Sequence, residues 1–309
     1  MNEGQRFVLF GHPVSHSLSP VIHAAAYAAL GLPHAYEALD LPTDVDFFQA
    51  VTKLRDGLFG GANVTIPYKR LALELADVVE STAELPGVAN VLCRDESGRI
   101  HAYNTDADAL ADDIASVLPD AEREGAVVMG GGGAGFAAVV ACRKLGYRRI
   151  GVTSRSWSTQ EYLDTLPVAA RMRALGADVF PWPTNDSSPR SLEVQRLSRE
   201  WLEFVRASSL ILQATSAGMV GADAGEPIAA IVPWGDLGER TLAYDVVYNP
   251  RVTPFLRAAM THQRLARGGL GMLIRQAARA IELWTGQSPP LDVMFRAAEQ
   301  TLDRRGQTG

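Results

Sequence analysis

Short apolar runs, bounded by glycine, proline and small polar residues, alternate along this chain with longer segments whose apolar positions recur at helical spacing. Residues 6–10, 34–39 and 58–66 read as strands, with helices predicted over 21–30 and 43–55. In the third strand the paired glycines Gly60 and Gly61 loosen the backbone, and Pro67 ends the ladder by removing an N–H. Lys69 follows and opens an amphipathic segment, 71–79. Residues 88–92 and 99–103 form a predicted hairpin across 95–98, ahead of a helix over 107–118. Strands alternating with helices imply βαβ units and a largely parallel sheet, an α/β fold.

The polar stretch 119–125 reads as a domain boundary. Beyond it a strand (126–129), a glycine loop (130–135) and a helix (136–145) follow in order, then a strand at 149–153. Residues 160–175 are helix-like despite Pro167, 177–180 form a short strand, and 181–189 a turn-rich loop. A helix over 191–207 leads to a strand at 209–214, and 242–248 reads as the last strand. Ile274, Ala277, Ala278, Ile281 and Trp284 mark a further helix, and 291–302 a final one after Pro289 and Pro290.

Composition narrows the function. A chain of 309 residues, 47% hydrophobic and 21% charged, is expected to hold two globular domains. The net charge of −6 with no long basic run gives no support for a nucleic-acid or membrane partner. The first residues lack the pattern of a signal peptide, and no apolar run has the length of a membrane span. Cys93 and Cys142 lie in apolar segments without metal-ligand spacing, so buried thiols are predicted, with no metal site. That suits a reducing cytoplasm.

The candidate chemistry gathers at a few places. Lys69 sits at a helix start, where a cation opposes the macrodipole, in the company of Asn63 and Thr65. Ser19 before Pro20 reads as an N-cap. With Ser17 it also places two hydroxyls where a helix N-terminus can hold a carboxylate. Asp106 reads equally as a helix N-cap or first-turn acid and as a functional acid. Gly130, Gly132 and Gly135 satisfy G-x-G-x-x-G between strand and helix, the context of a dinucleotide site. Ser154, Arg155 and Ser156 stand where an NAD site places an acid, which favours a 2′-phosphate and hence NADP.

Gly61 to Lys69, read Gly-Ala-Asn-Val-Thr-Ile-Pro-Tyr-Lys, followed by Asn104-Thr105-Asp106, resembles the shikimate dehydrogenase family. So do His16-Ser17-Leu18-Ser19-Pro20, Thr215-Ser216-Ala217-Gly218-Met219 and the strand at 242–248, and the likeness covers roughly residues 6–290. It implies NADP-dependent, reversible reduction of 3-dehydroshikimate to shikimate, an oxidoreductase step of aromatic amino-acid and chorismate biosynthesis. Lys69 and Asp106 would be catalytic, Ser17 and Ser19 would bind the carboxylate, and Thr65, Asn90, Asp106 and Gln276 the ring hydroxyls. Tyr248 would line the pocket near the nicotinamide. Gly130, Gly131, Gly132, Gly133, Ala134 and Gly135, with Ser154, Arg155, Ser156, Thr215 and Met219, would hold NADP.

The implied fold is a substrate-binding α/β domain, 1–118 plus 265–309, completed by C-terminal helices around an inserted Rossmann domain, 119–264. The implied partner is a small anionic cyclohexene or cyclohexane carboxylate, with a homodimer left open. The chain departs from the family pattern at Val91 (usually threonine), Ala107-Asp108-Ala109 (usually glycines), Gln213 (usually asparagine) and Gly268 (usually aspartate). A relative acting on quinate or an aminated analogue is the alternative within the family. A nucleotide-sensing binding module without turnover is the alternative outside it, and cofactor reduction with shikimate separates the two.

Overall fold

The computed structural model describes residues 4–118, 123–183 and 192–307. Residues 119–122 of the expected boundary, the loop from 184 and the first residue of the helix expected at 191 lie outside these. The chain divides into two compact units, one built from the chain up to Ala109 and from Leu273 onward, the other from Leu110–Met272.

The first unit is organised on a sheet of six strands: β1 (Arg6–Gly11), β2 (Ala35–Asp40), β3 (Gly61–Val64), β4 (Val78–Val79), β5 (Val91–Arg94) and β6 (Ile100–Tyr103), in the order β2-β1-β3-β5-β6-β4. β1 pairs in parallel with β2 and β3, but β3–β5 and β5–β6 are antiparallel, so this sheet is mixed and the predicted hairpin is present. The apolar face of the helix Asp44–Arg55, with Phe47, Val51 and Leu54, packs into the core with Val8, Phe10, Ala62 and Leu92.

Three expectations fail here for local reasons. β3 is shorter than 58–66, because Leu58 and Ile66 face solvent. Gly61 answers to packing and not to looseness: a Cβ there would lie 2.2 Å from the indole nitrogen of Trp284, which stacks on Phe7 with ring centres 4.8 Å apart. The helix after Lys69 stops at Glu74, since Asp77 exchanges two 2.8 Å hydrogen bonds with Ile100 and draws Val78–Val79 onto β6.

The second unit holds β7 (Gly125–Met129), β8 (Arg149–Thr153), β9 (Asp178–Val179), β10 (Leu210–Gln213), β11 (Leu242–Asp245) and β12 (Leu265–Gly268). Every pairing is parallel, and the order β12-β11-β10-β7-β8-β9 is that of a Rossmann sheet with β7 as its first strand. The helix Leu192–Arg206 contributes Trp201, Phe204 and Val205 to a core shared with Val127, Met129 and Ile211. Pro167 splits the helix expected over 160–175 into Gln160–Thr165 and Pro167–Ala174, with Leu166 extended between them.

β12 extends the sheet past 242–248, the last strand that the pattern predicts. Its residues Leu-Ala-Arg-Gly carry no alternating pattern, and it pairs only at the edge beside β11. The unit limits also differ from those expected. Asp113, fully buried on the helix Asp106–Val117, accepts hydrogen bonds from the Tyr244 hydroxyl on β11 (2.9 Å) and from Arg267 Nη2 on β12 (2.9 Å), which groups these stretches with the second unit. Among the described residues no helix is long and apolar enough to cross a membrane.

Candidate active site

Lys69 is placed by its neighbour. Tyr68 stacks on Phe47 (ring centres 4.5 Å apart) and its hydroxyl donates to Leu41 O at 2.5 Å, which pins the turn between β3 and the helix Lys69–Glu74. The carbonyl of Lys69 accepts from Ala89 N–H at 2.8 Å, so the lysine and the approach to Asn90 are held by one bond. The Lys69 side chain is 27% exposed, and its Nζ donates to Asp106 Oδ2 at 2.6 Å.

Asp106 is not a helix cap. It is the first residue of the helix Asp106–Val117, its N–H is accepted by Asn104 Oδ1 (3.0 Å), and its carboxylate is 8% exposed between Lys69 and Asn90. Asn90 is the hub of this arrangement. Its Nδ2 lies 2.8 Å from Asp106 Oδ1, 3.0 Å from Thr105 Oγ1 and 3.0 Å from Gln276 Oε1, while its Oδ1 accepts from Thr105 N–H at 2.8 Å. An amide nitrogen carries two protons, so three acceptors are one too many. At any moment one of them is free to take a proton from a ligand hydroxyl.

The serines behave differently from the expectation. Ser19 is inside the helix Ser19–Ala29, Leu18 occupies the N-cap position, and no side chain caps it there. Ser17 supplies the missing acceptor, its Oγ taking the N–H of Ser19 at 3.1 Å. The Ser19 hydroxyl meets Tyr36, whose OH donates to Asn63 Oδ1 at 2.7 Å; Asn63 Nδ2 in turn lies 3.4 Å from Asn90 O. Hydrogen-bonded polar groups thus run from Tyr36 through Asn63, Asn90 and Asp106 to the lysine. Tyr36 escaped the sequence reading because one aromatic in a half-buried strand looks like packing. Thr65 stands apart from this chain among the described residues, its backbone N–H donating to Phe10 O at 2.9 Å. Val91, a departure from the family pattern, is fully buried in β5.

In the second unit the glycine loop follows β7 directly. Gly130 has φ +149°, and a Cβ there would lie 2.6 Å from Ala214 O; one on Gly135 would lie 1.9 Å from Gly130 O. These two glycines are required by close packing. Gly132, the N-cap of the helix Gly133–Lys144, has nothing within 4 Å of where a Cβ would be. With Gly131 and Gly133 partly or fully exposed and Ala134 at the first turn, the loop leaves the open cradle that a pyrophosphate needs over a helix N-terminus.

At the end of β8, Ser154 O accepts from Trp157 N–H (2.9 Å), and Trp157 and Ser154 would crowd any Cβ on Gly131. Arg155 and Ser156 are therefore exposed beside the glycine loop. Arg155 Nη2 pairs with Asp223 Oδ2 at 2.8 Å, an acid 68 residues along the chain with no local pattern linking the two. Gln213 at the end of β10 is buried, donating to Ala217 O at 2.9 Å and accepting from Thr215 N–H, so the glutamine folds the loop bearing Thr215 and the exposed Met219. Tyr248, half-buried, follows β11 in this unit. Asp245 ends that strand, and burial pushes its carboxyl up to about 7 against hydrogen bonds from Thr253 Oγ1 (2.6 Å) and Val247 N–H (2.9 Å).

A parallel Rossmann sheet with an open glycine cradle and a cation after its second strand, joined in one chain to a unit carrying a lysine–carboxylate pair, defines a dinucleotide-dependent oxidoreductase. Residues 9–92 match the shikimate dehydrogenase substrate binding domain, and 269–299 the shikimate 5′-dehydrogenase C-terminal domain. A shikimate dehydrogenase (NADP+) of Methanocella arvoryzae is 33% identical over 94% of this chain and 97% of its own; one of Caulobacter vibrioides is 35% identical over 93% and 92%. The structure of a Thermus thermophilus shikimate 5-dehydrogenase in complex with NADP(H) and shikimate matches with a TM-score of 0.77 and 32% identity, covering 96% of this chain and 99% of that one. The chain belongs to the shikimate dehydrogenase family.

Proposed function

We propose that this chain is an NADP-dependent shikimate dehydrogenase, catalysing the reversible reduction of 3-dehydroshikimate to shikimate. The observation that carries the reading is the Lys69–Asp106 pair tied through Asn90 to Gln276. NADPH, when bound, supplies the hydride to the ketone carbon. Lys69 holds an ammonium at the ketone oxygen, where it stabilises the charge that develops and gives up the proton that completes the hydroxyl. Asp106 orients that ammonium and, with Asn90, Thr65 and Gln276, accepts or donates to the ring hydroxyls. The over-subscribed amide of Asn90 leaves one acceptor ready for such a hydroxyl. Ser17 and Ser19 hold the substrate carboxylate at the start of a helix, where backbone N–H groups add to the attraction.

For the cofactor, the backbone of residues 130–135 receives the pyrophosphate, Arg155 with Ser154 and Ser156 the 2′-phosphate, and Thr215 and Met219 the neighbouring surface. Tyr248 lines the nicotinamide side. Cys93 and Cys142 are free, which accords with a reducing cytoplasm. Initial rates with shikimate and quinate, each with NADP and NAD, test the reading. Shikimate with NADP should give the highest kcat/KM; faster turnover of quinate, or none with either substrate, overturns it.

A further inference from the structure

Arg155 is already occupied in this chain. Its Nη2 contacts Asp223 Oδ2 at 2.8 Å, and Asp223 comes from the loop after β10, far along the sequence from the strand that Arg155 follows. The loop is shaped to deliver it. Asp223 O accepts from Gly218 N–H at 2.8 Å, Gly218 takes a left-handed φ of +83°, Ala222 N–H donates to Met219 O at 3.0 Å, and Val220 N–H donates to Asn249 O at 3.3 Å. On the other side, the turn at Ser154 and Trp157 is packed against Gly131, so Arg155 is fixed beside the cradle. We propose that Asp223 is a residue that sets cofactor specificity: its carboxylate takes the guanidinium that a 2′-phosphate needs, so NADP must displace it and NAD need not. The inference rests on the reading of Arg155 as the 2′-phosphate residue.

The chemistry decides which anion wins. Asp223 offers one charge through a single contact, and its side chain is 71% exposed against 38% for Arg155. Exposed pairs of this kind are weak. A phosphate brings nearly two charges and three acceptor oxygens to the same planar donor. Displacement is therefore favourable, and the carboxylate lowers the preference for NADP by only a few-fold. By weakening NADP alone, Asp223 narrows the gap between the two cofactors.

Calorimetric titration of the cofactor-free protein with NADP and with NAD tests this without turnover. Asp223→Asn should tighten NADP about two- to five-fold and leave NAD unchanged, the range expected when a weak exposed pair is removed. In an Arg155→Ala background the same substitution should change neither. Unchanged NADP affinity in Asp223→Asn overturns the proposal, as does an equal gain without Arg155, which would make the effect one of general charge. Loss of NAD affinity in Asp223→Asn also overturns it, because the carboxylate would then be holding a ribose hydroxyl. Arg155→Ala that keeps the full preference for NADP removes the reading of Arg155 first and the proposal with it. Thermal melts of all variants establish that each is folded.

Discussion

Two ion pairs, one in each unit, show how differently the same chemistry can be set. Lys69–Asp106 is short, its carboxylate is 8% exposed, and Asn90 and Asn104 fix the acid from the other side. Arg155–Asp223 is similar in length but exposed on both sides, with one contact and no supporting side chain among those described. Water screens the second on both sides but scarcely reaches the carboxylate of the first, so the first holds its place and the second exchanges readily with a competing anion. A group that must hold its place through a reaction is buried in a network. A group that must let go for a ligand is left at the surface.

The largest effect is expected from breaking the buried pair. Lys69→Ala should lower kcat roughly 10²–10⁴-fold, the range for a positioned acid–base group, with a far smaller change in substrate affinity. Single-turnover shikimate oxidation with saturating NADP measures it, and a near-parental rate in folded protein would end the mechanism. The same variant leaves Asp106 buried with Asn90 as its remaining donor, so a loss of about 1–3 kcal/mol in stability is expected. An exposed lysine at odds with the helix dipole would be expected to come out without loss of stability. Burial of its partner reverses that expectation.

Breaking the exposed site should move specificity instead of rate. Arg155→Asp is expected to cut the NADP-to-NAD ratio of kcat/KM by about 10- to 150-fold, since a charge-assisted hydrogen bond contributes about 1.5–3 kcal/mol. Stability should change by less than about 0.5 kcal/mol, as for other surface substitutions. A ratio that stays put would take the 2′-phosphate away from Arg155.

The serines lie between these extremes. Ser17→Ala with Ser19→Ala should raise KM for shikimate, on the order of 10-fold, with kcat nearly kept, because the carboxylate they hold does not change during the reaction. Steady-state kinetics with a melt of the same protein decides the matter; unchanged KM frees the serines from that role. The loss of the Ser17 acceptor for Ser19 N–H should also cost roughly 1 kcal/mol.

The smallest effect contrasts the two units through pH. Burial lowers His23 in the first unit to about 3, and raises Asp245 in the second to about 7. Below about pH 6.5 an unfolded histidine takes up a proton that folded His23 refuses, so its contribution to stability falls as pH drops. Between about pH 4 and 7 folded Asp245 keeps a proton that the unfolded residue has lost, so its contribution falls as pH rises. The two slopes oppose. Asp245→Asn should leave a steeper loss of stability toward acid, read from urea melts between pH 4 and 8; parallel curves for variant and parent would show that Asp245 does not titrate in this window.

The sequence by itself determined the glycine cradle between β7 and its helix, Arg155 after β8, and Lys69 and Asp106 as candidates. Each depends on local order: strand, loop and helix follow one another, and a charged residue at an unfavourable helix start stands out wherever the chain goes. Only the tertiary structure decided the rest. Gly61 answers to Trp284, Asn90 to Gln276, Asp106 to Lys69 and Arg155 to Asp223, partners separated by 37 residues or more. β12 is a strand because β11 offers it an edge, and Asp113 stays buried because Tyr244 and Arg267 reach it. Local propensity carries no information about such partners, since the free energy of a buried polar group is set by what the fold brings to within hydrogen-bonding distance of it.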